Sequence, residues 1–308
     1  MSFRSIVLAK QVPDTQNLTA RAMKPDGTVN RAALPAIFNP HDLNALEVGL
    51  NLRDKFGGEV ILITMGPWMA AEVVREALYR GADEAVLLTD RRFAGSDTLA
   101  TSYALAQAVR KMGEVDLVLC GSQAIDGDTA QVGPQVAEKL GLPQLTFVQE
   151  IEEVRETGVV VKRTIENGYE RLRAPLPVLM TVTSEVNIPR PPRAKLIMQY
   201  KKARAPVEVR IEAEREFENY TGVDRDEIIA KKTEERMAAL RDQGLLLTEW
   251  NLDKIEAQEE RCGFAGSPTK VRETESVVLR ARESKTYDPT EEGLKGLVEE
   301  LVDSRVLG

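Results

Sequence analysis

The stretch from Cys120 to Gly141, CGSQAIDGDTAQVGPQVAEKLG, decides how the chain is read. An apolar run, DLVLC (116–120), leads into it, and a helical pattern, QVAEKL (135–140), leads out. The residues between them outnumber the roughly 2–6 that a strand-to-helix connection needs. They are Gly, Ser, Gln, Asp and Thr for the most part, types that cap helices, turn tightly and hydrogen-bond. A loop so built holds something.

Working outward, three runs match DLVLC in kind: SIVLAK (5–10), EVILIT (59–64) and EAVLLT (84–89). All are rich in Val, Ile and Leu without polar alternation, the mark of strands covered on both faces of a parallel sheet. Helical patterns fall between them at 42–58, 69–82 and 96–113, the last with Ser96 or Asp97 as its N-cap. The alternation predicts an α/β fold with a doubly wound, mostly parallel, Rossmann-like sheet. Beyond Pro143, alternating charged and apolar residues from Gln149 to Glu185 predict an antiparallel meander added to that sheet. NIPRPPRAKLIMQYKKARAP (187–206) has four prolines and a basic cluster, and predicts an exposed, non-helical segment. Residues 211–245 are helix-prone and highly charged, a solvated helix or helical pair. Near the end, Leu294, Leu297, Val298, Leu301 and Val302 form an apolar stripe that must bury itself on the chain's own core or on a partner subunit. The expected division is an α/β domain with its antiparallel extension at 1–205, a charged helical insertion or linker at 206–262, and a C-terminal arm at 263–308.

Composition narrows the function. With 41 Lys and Arg against 49 Asp and Glu among 308 residues, the formal charge is -8, which argues against nucleic acid as a partner. The two cysteines, Cys120 and Cys262, have no metal-ligand spacing, so neither a metal site nor a disulfide framework is expected. The single histidine, His41, reads as a helix-start residue rather than a catalyst. The opening MSFRSIVLAKQVPD is too short in its apolar run for a signal peptide. No run approaches the ~20 apolar residues of a membrane span. A cytoplasmic protein is expected, with no direct membrane insertion and any membrane association made through partner subunits.

Ligands of doubly wound sheets bind outside the carboxyl ends of the strands. Each of the four apolar runs ends there in a polar stretch: QVPDT, MGPW, DRRFAGSDT and GSQAIDGDTAQVGP. Four on one rim imply a shared ligand. Gly66, Gly121, Gly127 and Gly133 allow close backbone approach or positive φ. Asp128, Thr129, Ser96 and Thr98 can cap helices while leaving N–H groups for phosphate oxygens. Pro134 suits a first helical turn. Asp126 and Asp128 would repel a phosphate, so at least one is expected to accept hydrogen bonds from ribose hydroxyls. Asn39, pushed toward extended geometry by Pro40, offers an amide to an adenine edge or a phosphate, and Asp42 can cap the helix that follows. Neither GxGxxG nor a P-loop is present. The residues alone point to a nucleotide-like ligand, and no nucleophile or acid–base pair accompanies it, as in proteins whose cofactor carries the chemistry.

The chain resembles the β subunit of electron transfer flavoprotein over nearly its whole length. The motifs that carry the resemblance are VLAKQVPDT (7–15), FNPHDLNALE (38–47), ITMGP (63–67), GADEAVLL (81–88), CGSQAIDGDTAQVGP (120–134) and GFAGSPTKV (263–271). The family pairs this subunit with an α subunit that carries an electron-transferring FAD. The β subunit binds AMP in the ordinary members, which take electrons from dehydrogenases. In electron-bifurcating members it binds a second FAD, to which NADH delivers hydride. KQVPDT, FAGSDTLATS (93–102) and GDTAQVGP resemble the bifurcating kind. The resemblance then implies electrons divided between ferredoxin or flavodoxin and, through the α-subunit FAD, a quinone oxidoreductase or an acyl-CoA dehydrogenase. It also implies that Leu8, Ala9, Asn39, Met65 and the loop from Gln123 to Pro134, with Ala124, Ala130, Gln131 and Val132 among its residues, surround the nucleotide. Asp97, Thr98 and Thr101 would line the flavin. A stand-alone adenine-nucleotide enzyme of similar fold is the reading from another class; it calls for a phosphate-gripping glycine motif that is absent. Two departures stand out. Leu196 lies directly beside Ile197 after the PR dipeptide, where the family's partner-recognition loop is spaced differently, and the charged stretch at 214–247 covers no family motif. The tail at 293–307 matches the family's C-terminal arm, which packs on the α subunit.

Overall fold

The computed structural model describes residues 2–14, 34–269 and 285–303. Thr15 of the KQVPDT segment, Lys270 and Val271 of GFAGSPTKV, and residues 304–307 of the C-terminal stretch lie outside the described residues.

The first elements are β1 (Phe3–Ala9), a two-stranded antiparallel ladder of β2 (Gln11–Pro13) and β3 (Ala36–Phe38), then α1 (Pro40–Phe56). Pro40 opens α1, where its missing N–H costs nothing. There follow β4 (Gly58–Met65), α2 (Ala71–Arg80), β5 (Glu84–Leu88), α3 (Thr98–Met112), β6 (Leu117–Gly121) and α4 (Val132–Leu140). α2 and α4 each stop at a left-handed glycine, Gly81 at φ 108° and Gly141 at φ 68°. β7 (Gln144–Arg155) and β9 (Gly168–Ala174) each pair antiparallel with β8 (Gly158–Ile165) between them, and β10 (Val178–Val182) follows. Next come α5 (Ala194–Tyr200), α6 (Pro206–Glu216), α7 (Arg225–Asp242), β11 (Thr248–Trp250) and α8 (Glu291–Asp303).

Among the described residues one nine-stranded sheet has the order β11-β5-β4-β1-β6-β10-β7-β8-β9. It is parallel from β11 to β7 and antiparallel through β8 and β9. The fold is therefore the expected α/β one: a doubly wound, mostly parallel, Rossmann-like sheet with an antiparallel extension. Side-chain alternation divides the core in two. Val7, Val60, Leu62, Leu87, Leu117 and Leu119 face α1 and α2 on one side. Ile6, Leu8, Ile61, Ile63, Val86, Leu88 and Val118 face α3 and α4 on the other. Both sets are almost wholly buried.

Three local expectations are corrected. The meander does not take in LPVLMTV: Val178–Val182 is buried at every position and inserts between β6 and β7 as a parallel strand. Its continuous apolar run is of the same kind as the first four. The segment at 187–206 is not wholly non-helical, since α5 begins at Ala194, just after the prolines that would have blocked it. The charged stretch does contain the helical pair α6 and α7, but the chain then returns to the sheet as β11, parallel to β5.

A buried ion pair anchors α6. Arg75 of α2 reaches Glu208 through both terminal nitrogens, at 2.8 and 3.0 Å, and also donates to the carbonyl of Ala203 at 3.0 Å. Glu208 returns to the N–H of Ala205 at 2.8 Å, closing the first turn of α6. Removing Glu208 leaves the buried Arg75 with only Glu72, an exposed carboxylate that it also meets at 2.7 Å, to balance its charge. Glu208→Ala is thus expected to lower stability to urea by about 3 kcal/mol, the lower end of the range for a broken buried pair. Glu216→Ala, whose partners Lys232 and Arg236 lie at the surface, should leave the unfolding midpoint nearly where it was. Equal shifts for the two variants would refute the anchoring role.

Candidate functional site

The carboxyl ends of β1, β4, β5, β6 and β11 share one edge of the sheet, because these strands are parallel. Above that edge lies a cleft of about 1260 Å³. The strand order turns at β1: β4 and β5 were added on one side and β6 on the other, which makes the β1–β6 junction the topological switch point.

Asp42, in the first turn of α1, fastens that junction. One carboxylate oxygen accepts the N–H of Lys10 at 2.9 Å and the other the N–H of Gly121 at 2.8 Å. Burial pushes the carboxyl up to about 6, against the pull of those two N–H groups. Asp42 was expected to cap α1; instead it ties together the ends of two strands. Gly121 is obligatory beneath it, since a Cβ there would lie 2.5 Å from the Cβ of His41 and 2.6 Å from the carboxylate.

The loop after β6 is braced along its length. Ser122 N–H donates to Val182 at 2.8 Å, and Asp128 N–H donates to Ala124 at 2.9 Å. Asn39 is wholly buried; its amide nitrogen donates to the Gln123 carbonyl at 2.9 Å and its oxygen accepts from Ile125 N–H at 3.2 Å. Gln123 donates to Asp128 at 3.0 Å, Lys10 pairs with Asp126 at 2.6 Å, and Thr98 donates to Gln131 at 2.8 Å. Asp128 and Ala130 adopt left-handed backbone at φ 48° and 52°, a conformation that costs non-glycine residues free energy and persists where the surroundings impose it. α4 then begins at Val132 with no side-chain cap, and Gln131, Val132 and Gly133 line the cleft. Its first-turn amides have no intrahelical acceptor, so an uncapped helix start faces the open space.

The start of α3 is arranged differently. Asp97 caps it, accepting from Leu99 and Ala100 at 2.9 and 3.0 Å, and its other oxygen accepts from the N–H and hydroxyl of Thr269 at 3.1 and 2.7 Å. Partial burial raises the carboxyl, but these hydrogen bonds outweigh it and hold Asp97 below the usual carboxylate range. Asp97 is a post that fixes the cleft wall to the GFAGSPT segment.

Of the residues singled out from the sequence, Leu8, Ala9, Met65, Gly66, Asp97, Thr98 and Thr101 line the cleft together with Gly121, Gln123, Ala124 and the run from Asp126 to Gly133. Asn39 and Pro134 do not. The reasons for the glycines change: none of Gly66, Gly121, Gly127 and Gly133 is among the positive-φ residues. Gly133 is needed because a Cβ would meet Thr181 at 2.7 Å and the Cys120 sulfur at 2.8 Å, so it sets how closely α4 approaches the sheet. Ser96 donates to Phe93 at 2.8 Å rather than capping α3. The reading passed over Lys10, whose charge at the end of the first strand was a usable signal. It also passed over Trp68, Arg91, Arg210 and Glu249, which line the β5–β11 end of the cleft. For the last two no local signal existed, because they enter the cleft only through α6 and β11.

The Asp42 geometry sets a pH dependence. Its folded pKa of about 6 lies above the ordinary 3.8, so the folded state holds this proton more tightly. The contribution is complete below pH 3.8 and declines as pH rises to about 6, by about 3 kcal/mol at 1.36 kcal/mol per unit. Asp42→Asn lacks it. The stability of the parent relative to Asp42→Asn is therefore expected to fall across that window in urea titrations, and a constant difference would refute the shift.

Comparison with known proteins gives consistent relatives. Residues 26–213 match the electron transfer flavoprotein domain. The electron transfer flavoprotein subunit beta of Clostridium acetobutylicum is 36% identical over 302 residues, covering 98% of this chain and 99% of its own. CarD, a subunit of the caffeyl-CoA reductase–Etf complex of Acetobacterium woodii, is 50% identical over 188 residues, 61% of this chain and 71% of CarD. Protein FixA of Rhizobium meliloti is 37% identical over 303 residues, 96% and 89% of the two chains. Among the described residues, no helix is long and apolar enough to cross a membrane.

Proposed function

The chain belongs to the electron transfer flavoprotein family, as a β subunit, and from that premise we propose that it serves an electron-bifurcating member, with FAD in the cleft and NADH as hydride donor. The observation that carries this reading is the reach of the cleft. It extends from the loop after β6 to residues beyond the ends of β5 and β11, among them Arg91 and Asn251. β6 and β5 are separated by three strand spacings, about 14 Å at ~4.8 Å each. An adenine mononucleotide would occupy one end of such a space. The volume also exceeds the roughly 300–1,000 Å³ of ordinary small-molecule sites.

The residues fit a dinucleotide. The uncapped start of α4 and the left-handed turn at Asp128 and Ala130 offer backbone donors to phosphate oxygens. Lys10 already balances Asp126, so the loop does not present two bare carboxylates to that phosphate. Leu8, Met65 and Thr101 line the same cleft beside the strand ends and α3. When bound, FAD supplies the hydride and single-electron chemistry that no side chain here can perform. The chain's part is to grip the phosphates, fix the wall through Asp97 and keep the switch point closed through Asp42.

The family pairs its β subunit with an α subunit. The bifurcating reading adds ferredoxin or flavodoxin as the low-potential acceptor and a quinone- or acyl-CoA-linked acceptor reached through the α-subunit FAD. The name of CarD, a subunit of a reductase–Etf complex, is in keeping with work inside a larger assembly.

Nucleotides released from the chain co-purified with its α partner test the proposal. Two FAD per heterodimer without AMP is the expected result; one FAD with one AMP would overturn it and leave this subunit a structural nucleotide. In the same assay Asp128→Ala, which removes the brace to Gln123 and places alanine at φ 48°, should lower the content from two FAD per heterodimer toward one. Full occupancy in that variant would count against the loop as the grip.

A further inference from the structure

Most arginines among the described residues are engaged. Arg75, Arg80, Arg92 and Arg190 each hold a carboxylate, and Arg215 lies over the ring of Trp68. Arg91 and Arg210 differ. Both are exposed, and their side chains make no hydrogen bond or ion pair among the described residues, yet both line the cleft. They arrive from separate elements, Arg91 from the turn after β5 and Arg210 from α6.

The local charge explains why they stay available. Asp90, the natural partner of Arg91 in sequence, is taken by Arg92 at 2.7 Å. Glu249 is the carboxylate nearest in influence to Arg210, but it is half-buried and accepts the N–H of Val207 at 2.7 Å, and burial pushes its carboxyl up. Glu214, one turn beyond Arg210, is exposed on the same side of α6. Two guanidinium groups with no ion pair among the described residues therefore line one cleft, with Glu214 the exposed carboxylate beside them.

We propose that Arg91 and Arg210 form a second anion subsite in the cleft, which takes the diphosphate of a second, dissociable nucleotide. Paired guanidinium groups suit a diphosphate, because each presents a planar fork of donors to phosphate oxygens. The subsite stands about 14 Å from the loop after β6, by three strand spacings of ~4.8 Å, and shares no residue with it. Trp68 and Ile211, lining the same end, supply apolar surface for a planar base. The assignment rests on the reading of the cleft as a site for bound FAD and incoming NADH, and it makes the phosphates of NADH the ligand of these two arginines.

The test uses the heterodimer with its α partner and NAD+ as a redox-inert probe, followed by calorimetry at two salt concentrations. The double variant Arg91→Gln, Arg210→Gln is expected to keep the parent's content of tightly bound nucleotide. Its dissociation constant for NAD+ should rise at least tenfold and lose much of its salt dependence. Arg91→Lys, Arg210→Lys should recover part of the affinity. Arg241→Gln, which removes an exposed arginine of α7 outside the cleft, should match the parent. Unchanged NAD+ affinity in the double variant would overturn the subsite and leave the FAD and NADH reading standing. Loss of tightly bound nucleotide from that variant would overturn the separation of the two subsites. A parent that binds no NAD+ would overturn both the subsite and the reading beneath it.

Discussion

The carboxylate of Asp42 is the constraint on which the cleft depends. It joins the N–H of Lys10, just past β1, to the N–H of Gly121, the last residue of β6. At this point the two strands stop pairing and their chains part, β1 toward β2, β6 toward the loop and α4. Without an acceptor between them, two backbone donors would be left unsatisfied in the interior, each at a cost of about 1–3 kcal/mol. The two oxygens of one carboxyl group satisfy both at once, and its place in the first turn of α1 favours a negative charge. Burial pulls the other way and raises the carboxyl to about 6. The absence of a side chain at Gly121 follows from the same contact, since any Cβ would occupy the carboxylate's position.

From that fixed point four strands of the sheet could be read in the sequence, for a physical reason. Strands covered on both faces need apolar residues at every position, so SIVLA, EVILIT, EAVLL and DLVLC announce themselves without their partners. The loop was legible too, because its residue types are costly to place together without a purpose. Gly133, Asp128 and Ala130 then show how sequence and structure can agree on a place and differ on a cause. The glycine serves helix packing against Cys120 and Thr181, and the left-handed turns fall on aspartate and alanine instead.

What could not be read depends on contacts distant in the chain. Val178–Val182 looked like the last strand of a meander because it follows one, yet its burial on both faces required the centre of the sheet. β11 is three half-buried residues long and exists only because β5 offers a free edge. Asn39 had the chemistry of a ligand contact, and its local sequence gave no hint that the backbone of Gln123 and Ile125 would occupy its amide. Asp97 likewise gains its role from Thr269, far along the chain.

The charged excursion after residue 205 shows why composition is a poor guide to a helix's faces. α6 mixes charged side chains with Val207, Val209, Ile211 and Ala213, and its residues divide cleanly. Glu208, Val209 and Ala213 are buried, and Glu208 is fixed by Arg75. Val207, Arg210, Ile211 and Glu214, at helical spacings of three and four, line the cleft. Val207 also donates its N–H to Glu249 of β11, so the helix and the added strand hold each other in place. The excursion thus lengthens the sheet by one strand and lays a helix over the end of the cleft. It does so with ion pairs in place of an apolar stripe, which leaves the outward face free to carry charge. An acidic chain can then present positive groups to an anion at one chosen point, because the sign of the field in a cleft is set by the few groups that line it and not by the net charge of the whole.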